Sequence, residues 1–192
     1  WEAPLAVFEE SAQLKTVEKP YPHSPAASPF YGLSKAEAER ALALEAAQGL
    51  ATTVFRLGAV FGIHPTSSWS ILVPAKQREG KLGPQGDGSG ALPWCHIDNI
   101  ADALEFALTN PTAANKAYNL VDGHVTMRDY FGAIESWFPD APRVLTQDQA
   151  KAAANFATLC SNERIRSELG YAPRRTFEQA IDEAAAWWRD HA

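Results

Sequence analysis

The chain has 192 residues, 46% hydrophobic and 21% charged, with a formal net charge of -6. That is enough apolar material for a sizeable core, and the acidic balance excludes the basic field that nucleic acid or an anionic membrane surface requires. Cys95 and Cys160 lie far apart, with no CxxC spacing and no His cluster. They suggest neither a disulfide framework nor a metal site and predict thiols in a reducing cytoplasm, and no apolar run approaches the roughly 18 residues of a membrane span.

The first 28 residues are rich in Pro and Ala, and Lys19 to Pro25 carries three prolines, so this stretch is expected to be an extended loop. Ser28-Pro29 is a start signal and Gly49 a stop, which predicts a helix from Pro29 to about Gln48. Ala51 to Leu57 is β-branched and aromatic and reads as a strand, followed by a turn at Gly58 to Gly62. Ser70 to Glu79 is expected to be helical despite Pro74. Lys81 to Gly90, with glycines at 83, 86, 88 and 90, is expected to be irregular or a hairpin. Pro93 to Ile97 reads as a strand, and Asp98 or Asn99 as the cap of a helix running to about Leu108 on Ile100, Ala103, Leu104 and Ala107. Ala117 to Val121 is predicted as a strand, and Thr126 with Asp129 opens a helix to about Phe138. Three more helices are expected: Asp148 to Ala157, Ser161 to Leu169 stopped by Gly170, and Thr176 to His191 with a Thr176/Gln179 capping box. Strands alternating with helices predict an α/β fold.

Chemistry concentrates at Tyr31-Gly32-Leu33-Ser34-Lys35. Four residues apart near the start of a helix, the phenol and the ammonium share one face. A free tyrosine ionises near pH 10, and an adjacent cation favours the phenolate, so this pairing suits proton exchange with an alcohol or ketone. An isolated YxxxK is common and means little by itself. Here it is followed in order by Arg56-Leu57-Gly58-Ala59-Val60-Phe61-Gly62, by Gly86-Asp87-Gly88, by Trp94 to Ala103, by Ala117-Tyr118-Asn119-Leu120, and by Leu169-Gly170-Tyr171-Ala172-Pro173.

This series resembles the C-terminal half of the extended short-chain dehydrogenase/reductases, the NAD(P)-dependent epimerase/dehydratase family. The resemblance implies the last strands of a Rossmann-type parallel sheet plus a small, mostly helical substrate-binding subdomain. Residues 1–62 would close the dinucleotide domain with the catalytic helix and following strand, and 63–192 would form mainly the subdomain, with Rossmann elements interleaved. It implies Tyr31 and Lys35 as catalytic residues, with NAD or NADP contacted by Tyr31, Lys35, Leu57 and Gly58. The activity implied is oxidoreduction, epimerisation or dehydration at a carbonyl or alcohol carbon, the substrate being a nucleotide sugar or a hydrophobic carbonyl compound or alcohol. Family members acting on nucleotide sugars commonly carry Asn where this chain has Ala59, which tilts the expectation toward the hydrophobic substrate. Ala59, Phe61, Trp69 and Trp94 are the candidates for its pocket, or equally for core.

No GxxGxxG motif occurs in the sequence, and it opens at Trp1 instead of Met. The expectation is a fragment lacking the pyrophosphate-binding half, weak in cofactor binding by itself and prone to form homo-oligomers. A non-catalytic binding module is the alternative. The discriminator between NAD and NADP would follow the second strand of the missing half, and a third catalytic Ser or Thr is expected before Trp1, since neither Ser11 nor Thr16 follows a convincing strand. His96 and Trp187-Trp188 are expected to be structural, Cys95 and Cys160 core. Arg56 serves either an ion pair or an anionic group, and the sequence does not choose.

Overall fold

The computed structural model describes residues 6–12, 14, 29–84, 88–142 and 158–191. Its strands are β1 (Ala6–Phe8), β2 (Thr53–Leu57), β3 (Ala59–Phe61), β4 (Ala91–His96), β5 (Lys116–Leu120), β6 (Gly123–Thr126) and β7 (Thr158–Cys160). The helices are α1 (Pro29–Ala47), α2 (Val73–Arg78), α3 (Ile97–Thr109), α4 (Met127–Glu135), α5 (Glu163–Leu169) and α6 (Phe177–His191), with a wide π-helical turn, Ser68–Leu72, leading into α2.

Parallel pairing dominates, as the α/β reading expects. β2 runs beside β5 from Thr53↔Lys116 to Leu57↔Leu120, β3 beside β4 from Ala59↔Trp94 to Phe61↔His96, and β1 beside β7. Only β4 and β6 pair antiparallel among the described strands. β2 and β3 are one path through the molecule, and Gly58 is where it changes neighbours. Its N–H donates to Leu120 O at 3.3 Å, after which the chain leaves β5 for β4. A Cβ at Gly58 would stand 2.7 Å from Pro93 O and 2.8 Å from Pro93 C, so only glycine permits this backbone approach. The predicted turn at Gly58 to Gly62 is therefore corrected to a short strand: the glycine is there for contact, and the chain continues extended.

The apolar residues collect in two clusters. One packs Cys95, Ile100, Ala103, Tyr118, Leu120 and Ile165 between α3, α5 and the β2–β5 pair. The other is aromatic, with Phe61, Trp94, Tyr130, Phe131 and Ile134 against α6. α6 presents Ala180, Ala184 and Trp188 at four-residue spacing, one stripe of a helix, and Trp188 Nε1–H reaches Ser70 O at 3.0 Å.

Local signals are obeyed where the chain supplies its own partner. Thr176 and Gln179 form the reciprocal capping box, Thr126 Oγ1 accepts from Asp129 N, and Gly170 closes α5 at φ +69°. Three expectations are corrected. The opening is not all loop, because Ala6–Phe8 is a strand, completed by β7 more than 150 residues away. α3 is capped by neither Asp98 nor Asn99: extended His96 does it, its Nδ1 accepting from Asp98 N at 3.1 Å. β6 occupies Gly123–Thr126, where the sequence reading had no strand. The expected helix at 148–157, the Ser28 cap, and Gly86 and Asp87 lie outside the described residues.

Candidate active site

α1 begins at Pro29 and carries Tyr31 and Lys35 one turn apart. Lys35 Nζ stands 5.5 Å from the centre of the Tyr31 ring, and Ser34 Oγ donates to Tyr31 O at 2.8 Å. The phenol is 64% exposed. α1 buries little of itself: Ala36 is its one buried side chain among those described. Its position is set by charge. Arg56, on β2, grips Glu39 of α1 with two edges, Nε at 3.0 Å from Oε1 and Nη2 at 2.8 Å from Oε2, while Nη1 donates to Glu10 O at 3.0 Å. Charge-assisted paired bonds of this kind are the strong ones. The open question about Arg56 is thus answered: it is a structural ion pair that seats the helix bearing Tyr31.

Tyr31 and Gly58 line a cavity of about 450 Å³ together with Phe61, His64, Ser68 and Trp69. Two of the four predicted pocket residues, Phe61 and Trp69, therefore reach it. The other two stand behind: Trp94 is 5% exposed, tilted against Phe177 at 5.5 Å, and Ala59 packs on the same aromatic cluster. Phe61 meets Trp94 and Tyr130 edge-on at 6.3 and 5.7 Å, an arrangement favoured by the ring quadrupoles, so the cavity floor is also core. Leu57 is exposed at the end of β2, and Lys35 stands outside the lining.

The residues read as structural behave so. His96 Nε2 meets a Glu183 carboxylate oxygen at 3.0 Å, opposite its capping bond. Beside it, Asp122 accepts from His96 N at 2.7 Å, from Asn99 Nδ2 at 2.6 Å and from the Tyr171 hydroxyl, while Asn99 Oδ1 accepts from Arg174 N and Arg175 N at 3.0 Å each. Burial first, and then the Asp122 bond, push the Tyr171 phenol well up. Asp98 turns to Arg175, whose guanidinium holds its carboxyl below the usual range. Cys95 is buried and its thiol pushed up to about 12 by desolvation, whereas Cys160 is half-buried on β7 rather than core. Trp187 stacks on His191 at 4.4 Å.

Two features escaped the sequence reading. Ser11 does follow a strand, β1, three residues past its end. His64 is a member of the cavity lining, locked by Thr66 two residues on; a His-Pro-Thr run after a glycine is the signal that marks it. A second cavity, about 350 Å³ between α2 and α4, contains none of the predicted residues; there Gln77 Nε2 donates to Phe131 O at 3.0 Å and its Oε1 is buried without a partner.

Comparison with known proteins extends the pattern. A dTDP-glucose 4,6-dehydratase of Streptomyces antibioticus is 27% identical over 176 residues, 88% of this chain and 50% of that protein. Among solved structures, a dTDP-glucose 4,6-dehydratase from Streptomyces venezuelae with NAD bound superposes with a TM-score of 0.72 at 21% identity, covering 98% of this chain and 56% of that one. The UDP-glucose 4-epimerase of Thermotoga maritima with UDP-glucose gives 0.67 at 19% identity, covering 86% and 54%. The chain spans about half the length of these relatives. The model of the NAD dependent epimerase/dehydratase family matches residues 6–120, and the chain belongs to that family.

Proposed function

We propose that this chain carries the proton-transfer and substrate side of an NAD(P)-dependent oxidoreductase, epimerase or dehydratase acting at a carbinol or carbonyl carbon. One observation carries the reading: Tyr31 opens onto a cavity of about 450 Å³ with a lysine ammonium 5.5 Å from its ring. The exposed end of β2 at Leu57 and Gly58, beside Tyr31, fits the nicotinamide end of the cofactor; a GxxGxxG turn for its pyrophosphate is absent from the sequence. When bound, the nicotinamide supplies the hydride acceptor or donor. The chain's own groups do the rest. Tyr31 Oη takes the alcohol proton as the carbinol hydrogen leaves as hydride, or returns it to a carbonyl oxygen in reverse, and Lys35 supplies positive charge beside the phenol.

Among the described residues the lining combines aromatic rings with hydroxyls and an imidazole and includes no Lys, Arg, Asp or Glu. That composition favours an uncharged reacting end, a ketone or secondary alcohol on a hydrophobic or sugar framework. The relatives' names favour nucleotide sugars; Ala59 and the aromatic wall favour the hydrophobic alternative. The test is a panel of dTDP-, UDP- and GDP-sugars and aryl ketones given to the full chain with NAD(H) or NADP(H), followed by cofactor absorbance and product epimer analysis. Turnover that vanishes in Tyr31→Phe supports the reading. No turnover with any member, and no cofactor binding by calorimetry, would favour instead the second reading, a non-catalytic binding module, which the absence of a GxxGxxG turn from the sequence supports.

A further inference from the structure

His64, exposed at the cavity lining, has its ring already oriented. Thr66 N–H points at Nδ1 from 3.2 Å, and Thr66 Oγ1 lies 2.8 Å from the same nitrogen. A backbone N–H can only donate, so Nδ1 must accept, and the neutral ring carries its proton on Nε2. The main chain is held as well, because Ser67 N donates to His64 O at 2.8 Å. Tautomer and backbone are thus fixed by Thr66 and Ser67. Nε2 has no partner among the described residues, although His64 lines the same cavity as Tyr31.

We propose that His64 is a substrate-positioning residue whose Nε2–H donates to an uncharged oxygen, hydroxyl or carbonyl, of the molecule whose reacting carbon faces Tyr31. The proposal rests on the Tyr31 reading and adds the recognition element to it. Among the described residues the lining holds no cation, so a phosphate at this point would gain no counter-charge from them. A pre-oriented N–H donor is instead suited to telling a hydroxyl or carbonyl from a methylene, because a bound substrate that covers the donor but lacks the oxygen leaves it unpaired. Sugar hydroxyls and ketone oxygens share this chemistry, so the test uses one probe of each kind.

In the full chain with cofactor, dTDP-glucose and acetophenone are compared in wild type, His64→Leu, His64→Gln and Tyr31→Phe. The expected result with the probe that turns over is a KM raised roughly five- to tenfold in His64→Leu, with kcat within about threefold, and largely restored in His64→Gln, which keeps an N–H donor. Unchanged KM in His64→Leu, with turnover lost in Tyr31→Phe, overturns the role of His64 and leaves the Tyr31 reading standing. Turnover surviving in Tyr31→Phe overturns both. Nitrogen NMR of the labelled ring decides without turnover: a neutral ring protonated on Nε2, whose signal moves on addition of either probe, supports the proposal. A ring protonated on Nδ1, or a signal unmoved at saturating concentrations of both probes, overturns it.

Discussion

Gly58→Ala tests whether the chain changes sheets by backbone contact. The added methyl would meet Pro93 O at 2.7 Å, Pro93 C at 2.8 Å and Trp94 N at 3.0 Å, against ordinary contacts that begin near 3.4 Å. Relief therefore requires β3 and β4 to part by roughly 0.7 Å (3.4 − 2.7), and the obstacle is backbone, which has no rotamer to escape into. Overpacking of this kind costs about 1–3 kcal/mol, and the rigid neighbour places it at about 2–3. For a domain of this size each kcal/mol moves Tm by about 2–4 °C, so a fall of about 4–12 °C is expected. The internal control is Gly132→Ala: that glycine lies in α4 with nothing within 4 Å of a built Cβ. There the methyl should raise stability by about 0.5–1 kcal/mol, since glycine is a poor helix residue. Thermal unfolding followed by circular dichroism separates the two. Equal Tm values for Gly58→Ala and wild type would refute the close-approach argument.

In a full-length enzyme that includes the dinucleotide-binding half, Tyr31→Phe should lower turnover by about 10²–10⁴ while cofactor affinity measured by calorimetry stays within about twofold, and a variant with normal turnover would remove Tyr31 from the chemistry. Lys35→Ala should weaken both rate and cofactor affinity; unchanged cofactor affinity would take Lys35 out of the cofactor site. Arg56→Ala should cost about 2–3 kcal/mol, because it strands Glu39 and frees α1, whereas Lys81→Ala, at the exposed Glu79 pair, should cost far less; equal effects in urea unfolding would contradict the seating role. Glu168 is held down at about 2, from an ordinary 4.5, by hydrogen bonds from Lys116 and then Tyr118. A depressed carboxyl stabilises the fold fully above about pH 4.5 and loses that contribution as pH falls toward about 2, so the stability gap between wild type and Glu168→Gln should close across that window. A gap constant down to about pH 2 would show that the carboxylate is not the source.

What the sequence made legible was local. Pro29, the Thr176/Gln179 box, Thr126 and Gly170 act on neighbours within four residues, and each places its helix end correctly. The Tyr31–Lys35 spacing is likewise a one-turn relation. Escaping it were features whose partners are distant. β1 and β7 are three residues each and exist only through one another, so neither has a period to read. Gly58 looks like a turn residue until Pro93 is beside it. Phe61, Trp69 and Trp94 are equivalent apolar aromatics in sequence, and only the packing of Tyr130 and Phe177 around them decides which face the cavity.

The bond from Trp188 to Ser70 spans 118 residues, and its consequence is temporal. Ser70 also accepts from Gly62 N at 3.1 Å, so the loop bearing His64 is anchored to a residue that the last helix must reach. On a ribosome the β2–β5 pair has both partners well before α6 has been synthesised. The cavity wall then sets after the β2–β5 pair, and a nascent chain exposes the aromatic cluster around Phe61 until α6 emerges.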